Sequence, residues 1–418
     1  MQKLIVQGGA KLRGELDLQG SKNSALPIMA AAYLCRGECI LHNCPKLTDI
    51  YAASRILNYI GCKCSFADNT AVITSAQSGH TAIPEELMQE MRSSIIFLGA
   101  LLGKNKTGTV SYPGGCELGS RPIDMHLSSF RKMGVDIKEK FGRITCSVRK
   151  NIHGAKISLP FPSVGATENI MLCADLADGE TVINNAAREP EIKDLADFLR
   201  CCGAKIKGDG ESSIVIEGVK ELHGCEYTVM SDRIAGATYL AAAAAAGGEI
   251  IIHKACVGCM EPFISLLDQT GCSIYTIDDG IYLRSGLRLK AVRDCIRTMP
   301  HPGFPTDAQA ILMAALIKAD GTSVFEENIF DCRYRHTDAL VKMGADITVL
   351  GKTAVVKGVD RLYGARVEAT DLRGGAAMVI AALIAEGKSE ITSISHIDRG
   401  YEEIELCLQR LGADIKRE

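Results

Sequence analysis

The feature that most constrains this chain is an internal repeat. Six times, the end of an amphipathic segment runs into a glycine and then into an alternating strand pattern. The segments include Leu57-Asn58-Tyr59-Ile60-Gly61, Arg131-Lys132-Met133-Gly134, Leu199 to Gly203, Leu267 to Gly271, Leu340 to Gly344 and Leu408 to Gly412. The glycines fall at 61, 134, 203, 271, 344 and 412, a spacing of 68 to 73 residues. A glycine just past a helix end is the usual left-handed cap. The six segments therefore read as outer helices, each followed by a strand.

A second signal recurs in every copy. It is an apolar, alanine-rich stretch, then a glycine-containing turn, then a short strand. The stretches are Pro27 to Cys35, Ser94 to Leu102, Thr167 to Leu176, Gly236 to Ala246, Ala308 to Ile317 and Gly374 to Ala385. They are hydrophobic nearly all round, so each is a helix buried on most faces. The unit reads strand, inner helix, strand, outer helix, strand, strand. Copies of about 70 residues are too long for the common small solenoid repeats. Two globular lobes of three copies are expected, with 20–229 in one and 1–19 plus 230–418 in the other. In that arrangement the N-terminal strand at Lys3 to Gln7 joins the second lobe. Two lobes imply a cleft, and clefts between domains favour ligands.

Composition narrows the class. Of 418 residues, 47% are hydrophobic and the net charge is −3. That gives large cores and no strongly basic face for nucleic acid. Tryptophan is absent and aromatics are 5%, a poor supply of base-stacking platforms. The 17 cysteines form no regular framework and read as reduced cytosolic thiols. Cys256-Val257-Gly258-Cys259 is a lone C-x-x-C; without a second pair or two suitably spaced histidines, no metal site is expected. Met1 to Val6 leads straight into a strand pattern, and stretches such as Tyr239 to Ala246 are too short to span a bilayer. A soluble cytoplasmic protein with no membrane partner is expected.

Polar residues sit where core packing does not require them. Lys22-Asn23 precede the first inner helix and Arg92 the second; Ser163-Val164-Gly165 open the third, Asp232-Arg233 the fourth, Asp307 the fifth, and Asp371 and Arg373 the sixth. Ordinary capping explains Ser, Thr and Asp but not Lys22, Arg92, Arg233 and Arg373. Cations added to helix N-termini, whose dipoles are already positive, suit an anionic ligand. The glycine-rich loop Ser111 to His126 places Cys116 a few residues before Arg121. A nearby cation favours the reactive thiolate. Turns at Asn184 to Glu191, Asp331 to His336 and His396 to Glu402 are further candidates, with turn chemistry and surface ion pairs as the plain alternative. Gly387-Lys388-Ser389 resembles the end of a nucleotide-binding loop, but Ala382 stands where the earlier glycine is needed. A Cys116–His126 dyad lacks an identifiable orienting residue.

Taken together, Ser21-Lys22-Asn23, Pro113-Gly114-Gly115-Cys116, Arg121-Pro122-Ile123-Asp124, Ser163 to Thr167, Ala186 to Glu191, Phe304 to Asp307, Ala369 to Arg373 and His396 to Glu402 closely resemble the enolpyruvyl transferase family, in its branch acting on UDP-N-acetylglucosamine. The resemblance runs in order along essentially the whole chain. It implies a two-lobed inside-out α/β barrel of six βαβαββ-like repeats, three per lobe, with the active site in the cleft. It implies transfer of enolpyruvyl from phosphoenolpyruvate to the sugar 3′-hydroxyl with release of phosphate, the first committed step of peptidoglycan synthesis, with no cofactor. By resemblance, Cys116 donates a proton to the phosphoenolpyruvate methylene and can form an adduct with it. Asp307 is the base for the sugar hydroxyl. Lys22, Arg121 and Arg399 hold phosphoenolpyruvate with Asn23 beside them. Arg92, the run Arg121, Pro122, Ile123, Asp124, Met125, then Ser163, Val164, Gly165 and Ile329 line the sugar nucleotide. Asp371 and Arg373 complete the face of the second lobe.

One departure stands out. Some members carry a lysine just before the Ser-Val-Gly-Ala-Thr segment, aimed at the diphosphate. Here the stretch is Leu159-Pro160-Phe161-Pro162-Ser163, which leaves backbone N–H groups for that contact. The competing expectations are a sister enzyme acting on shikimate 3-phosphate and a silent UDP-sugar-binding paralogue. The Gly-Gly-Cys loop and Ala186 to Glu191 favour the sugar nucleotide. Cys116, Asp307, Lys22 and Arg399 together argue against a silent protein.

Overall fold

The structure is a computed structural model that describes residues 2–75, 79–114, 123–286 and 288–418. Cys116, Arg121 and Pro122 therefore lie outside the described residues. The chain divides into two compact units. One runs from Gly20 to Met230; the other joins the segment ending at Gln19 to Ser231–Glu418.

Inner helices form at Lys22–Ala32, Ile96–Asn105, Val164–Ala174, Arg233–Ala246, Thr306–Ala315 and Leu372–Ile384. Their sequences have almost no polar face, and burial follows. In Leu372–Ile384 every residue after Leu372 is buried. Four of the six begin on a side-chain cap that satisfies otherwise unpaired N–H groups. Ser21 accepts from Ser24 N, Ser163 from Ala166 N, Asp232 from Ile234 and Ala235 N, and Asp371 from Arg373 and Gly374 N. Within each unit the three inner helices pack on one another, with sheets and outer helices around them. The approach is close enough to require glycine at one crossing. A Cβ on Gly99 would stand 2.3 Å from the Asn169 carbonyl oxygen, far inside contact distance.

The sheets repeat one plan. In the third copy, Lys156–Ser158, Glu180–Asn184, Ser213–Glu217 and Lys205–Lys207 lie side by side, the first pair parallel and the others antiparallel. The fifth copy matches it with Ile296–Arg297, Thr322–Glu326, Thr353–Lys357 and Asp346–Leu350. In the sixth, Leu4–Gln7 fills the third place, antiparallel to both Lys388–Thr392 and Asp414–Arg417. The two ends of the chain thus share one sheet. The first and fourth copies exchange their opening strands. Arg13–Asp17 pairs with Glu249–His253, and Glu226–Thr228 pairs with Glu38–His42. This exchange is why the chain passes between units at Gln19 and again at Met230.

The second copy departs from the expected pattern. In place of an opening strand it has a single bridge, Ala82 to Thr109. Pro84 follows at once and starts the short helix Glu85–Gln89; with no N–H it cannot extend a ladder. All six repeat glycines take positive φ, from 88° at Gly134 to 103° at Gly344, the conformation a helix-ending glycine supplies at least cost.

Candidate functional site

In the unit containing residues 231–418, three of the sequence-predicted residues converge, together with one that the sequence reading named only within the candidate turn Asp331 to His336. Asp307 is the second residue of Thr306–Ala315. Its Oδ1 accepts from Arg333 Nη2 at 3.0 Å, and its Oδ2 lies 3.3 Å from Arg373 Nη2. The two arginine side chains are 1% and 2% exposed, whereas the Asp307 side chain is 30% exposed. A carboxylate is therefore held from behind by two buried guanidiniums and keeps a face to solvent. Arg333 also donates to the Thr306 carbonyl at 2.8 Å and lies 3.9 Å from Asp371. Asp371 in turn caps its own helix through Arg373 N and Gly374 N. Each guanidinium and carboxylate thus fixes another.

The supporting shell is well defined. Arg373 stacks over the Tyr401 ring at 5.3 Å, a cation–π contact. The Tyr401 hydroxyl is 2.8 Å from the Thr238 hydroxyl. Desolvation opposes the charge of Arg373, but neighbouring groups, Tyr401 and Asp307 foremost, raise its pKa overall. Glu327 is buried, and its carboxylate accepts from the Thr306 hydroxyl and from Ile329 N and Phe330 N. Ile329 is thereby tied to the start of the Asp307 helix. Arg399 is half-buried at the end of the turn Ile394–Arg399. Arg233 lines a small cavity with His301, Gly303 and Pro305.

The unit spanning residues 20–230 holds a second polar set. Lys22 is buried, and its Nζ lies 3.4 Å from Asp49 on Thr48–Tyr59; Asn23 follows it in the first turn. Arg92, Asp124 with Met125, and Ser163 to Gly165 stand at three element starts, and Arg92, Asp124 and Gly165 lie close to one histidine. His126 Nδ1 is 2.8 Å from the Asn169 amide, whose nitrogen also donates to the Ile95 carbonyl. A Cβ on Gly165 would stand 3.4 Å from the His126 ring. Burial, with Arg92 second, pushes His126 down to about 4. It is a neutral, hydrogen-bonded core ring, which leaves the thiol–histidine dyad without support.

Two points of the sequence reading need revision. Arg333 was named only within the candidate turn Asp331 to His336 and given no role; an arginine one residue before a buried tyrosine and three before a buried histidine was the available signal. Cys256 and Cys259 are joined in a disulfide, not held as free thiols. A three-residue separation at a helix start brings the two close, with Cα atoms 5.3 Å apart. A cysteine set that the sequence reading did not single out lies elsewhere in the chain. Cys35, Cys39 and Cys202 gather within one buried cluster; their sequence separations hide it.

A family model described as EPSP synthase (3-phosphoshikimate 1-carboxyvinyltransferase) matches residues 6–408. UDP-N-acetylglucosamine 1-carboxyvinyltransferase 2 of Caldanaerobacter subterraneus subsp. tengcongensis is 51% identical, covering 100% of both chains. UDP-N-acetylglucosamine 1-carboxyvinyltransferase of Nitratidesulfovibrio vulgaris is 44% identical, again over 100% of both. Among solved structures, the enolpyruvyl transferase NikO from Streptomyces tendae has the same fold, with a TM-score of 0.90 at 23% identity over 100% of this chain and 98% of that one. EPSP synthase from Acinetobacter baumannii gives 0.78 at 18% identity over 100% of both chains. The repeat, the inner-helix fold and full-length identity at this level agree: the chain belongs to the enolpyruvyl transferase family, among the UDP-N-acetylglucosamine 1-carboxyvinyltransferases.

Proposed function

We propose that this chain transfers the enolpyruvyl group of phosphoenolpyruvate to the 3′-hydroxyl of UDP-N-acetylglucosamine, releasing phosphate. It would thereby commit the sugar nucleotide to peptidoglycan synthesis. The observation that carries this reading is full-length identity of 51% and 44% to relatives of that name. Both substrates are polyanions, and the polar sets in the two units are rich in fixed cations. A cytoplasmic site of action fits soluble substrates. No described helix is long and apolar enough to cross a membrane.

The chemistry assigns roles. The sugar oxygen adds to C2 of phosphoenolpyruvate while its proton passes to Asp307 and C3 gains a proton from Cys116. The tetrahedral adduct then loses phosphate from C2 and a proton from C3, restoring the double bond. Asp307 is suited to the first proton because both its oxygens are aimed by buried arginines, which fixes the base without a rearrangement during reaction. Lys22, Arg121 and Arg399, with Asn23, hold the phosphate and carboxylate of phosphoenolpyruvate. Arg92, Arg121 to Met125, Ser163 to Gly165 and Ile329 line the sugar nucleotide, and Asp371 and Arg373 hold the Asp307 side.

The family description names shikimate 3-phosphate as an acceptor, which makes it the second reading. Incubation with phosphoenolpyruvate and UDP-N-acetylglucosamine, followed by mass spectrometry and proton NMR, tests the first. A UDP-sugar carrying an enol ether supports it. An unchanged sugar nucleotide, with shikimate 3-phosphate converted instead, overturns it.

A further inference from the structure

Outside the residues assigned to the reaction, four thiols of the unit spanning 20–230 converge from four parts of the chain. Cys35 lies on the strand Cys35–Arg36, which pairs with Leu222–His223. Cys39 lies on Glu38–His42. Cys202 ends the helix Pro190–Cys201. Cys225 precedes Glu226–Thr228, whose parallel register sets Glu226 opposite Ile40 and hence Cys225 beside Cys39. The Sγ atoms of Cys35, Cys39 and Cys202 all lie within 4.8 Å of one another. Those of Cys202 and Cys225 are 3.4 Å apart. The first three residues are buried and Cys225 is half-buried.

Packing alone does not ask for this. A buried cysteine usually behaves as a small hydrophobe scattered through a core, and a weak S–H donor gains little from meeting other sulfurs. Four sulfurs bound at about 2.3 Å to one tetrahedral ion stand roughly 3.8 Å from one another; the Cys202–Cys225 spacing and the mutual approach of Cys35, Cys39 and Cys202 come near that, and binding would draw Cys225 in toward the other two. A polynuclear iron–sulfur cluster would hold its thiolates further apart, because the cluster fills the middle. Half-buried Cys225 gives an ion a way in.

We propose that Cys35, Cys39, Cys202 and Cys225 form a tetrathiolate site for one structural zinc ion. Binding releases the thiol protons to solvent and leaves four thiolates on the metal. The ion pins the first repeat to the end of the third, beside the strand where the chain leaves this unit. Four thiolates fill the coordination positions and leave none for substrate, so the role is structural.

The test uses the full-length chain purified under reductant without chelator. Elemental analysis should give close to one zinc per chain. After removal of zinc, cobalt should produce the intense charge-transfer and ligand-field bands of a tetrahedral thiolate site. Cys39→Ser and Cys225→Ser should each weaken cobalt binding by more than about tenfold. Cys201→Ser, next door and exposed, should leave it unchanged. Chelation should lower Tm without altering the acceptor preference. The wild-type measurements stand even if a serine variant fails to fold. A zinc-free wild type that gives only the weak spectrum of hydrated cobalt would overturn the site. So would a Cys202–Cys225 disulfide in freshly purified protein.

Discussion

Arg333 Nη2 donates to Asp307 Oδ1 over 3.0 Å from a side chain that is 1% exposed. The same guanidinium holds the Thr306 carbonyl, so it fixes both the carboxylate and the backbone that carries it. A planar fork is needed to do both, and lysine cannot supply one. Arg333→Lys should lower kcat more than tenfold while sugar-nucleotide affinity changes less than threefold, from loss of one charge-assisted bond worth about 1.5–3 kcal/mol. Steady-state kinetics beside calorimetric binding reads the split. A variant with unchanged kcat would remove Arg333 from the account.

Asp307→Asn keeps the size of the side chain but cannot take up the sugar proton. A positioned general base contributes about 10²–10⁴-fold, so turnover should fall by at least the lower figure with UDP-N-acetylglucosamine still bound. Near-normal turnover would assign the proton elsewhere.

Lys22→Ala and Arg399→Ala test the phosphoenolpyruvate cations. Each should raise the phosphoenolpyruvate requirement by roughly tenfold or more and leave sugar-nucleotide binding nearly intact. Lys22 also stands near the buried Asp49, so its variant should lose some stability as well. Equal losses for both substrates would refute the assignment.

How much of this was legible in the sequence differs between elements. The six glycines were readable because a helix end demands positive φ, and each repeat supplies it at the same place. The inner helices were readable because they carry no polar face. Most of their starts were placed late: the first begins at Lys22 rather than Pro27 and the third at Val164 rather than Thr167, because capping residues and charges disguised the opening turns. Asp307, Asp371 and Arg373 were readable as helix-start residues. Arg333 was not, since nothing local distinguishes a buried arginine in a turn from a solvated one. The thiol cluster was hidden for a related reason: Cys225 comes beside Cys39 only through the exchange of strands at the first and fourth repeats.

Acid stability follows from His126 and His336. Burial pushes both down to about 4, below the usual value of about 6.5. Between these values the unfolded chain binds the protons and the folded chain does not. Stability contributed by each ring is therefore present above about pH 6.5 and lost as pH falls toward 4, by up to about 1.4 kcal/mol per unit. Buried Glu168 and Asp175 are raised well above the carboxylate range by burial and act with the opposite sign, so the comparison must be between variants. Urea denaturation at pH 6.5 and 4.5 should show a smaller loss for His336→Gln than for the parent chain. Equal losses would mean that His336 is protonated in the folded state.

The central claim is the choice of acceptor. Phosphate release from phosphoenolpyruvate should be measured with UDP-N-acetylglucosamine and, separately, with shikimate 3-phosphate, at equal enzyme and substrate concentrations. The account predicts rapid stoichiometric release with the sugar nucleotide and background release with shikimate 3-phosphate. Release with shikimate 3-phosphate alone, or with neither acceptor, would contradict it.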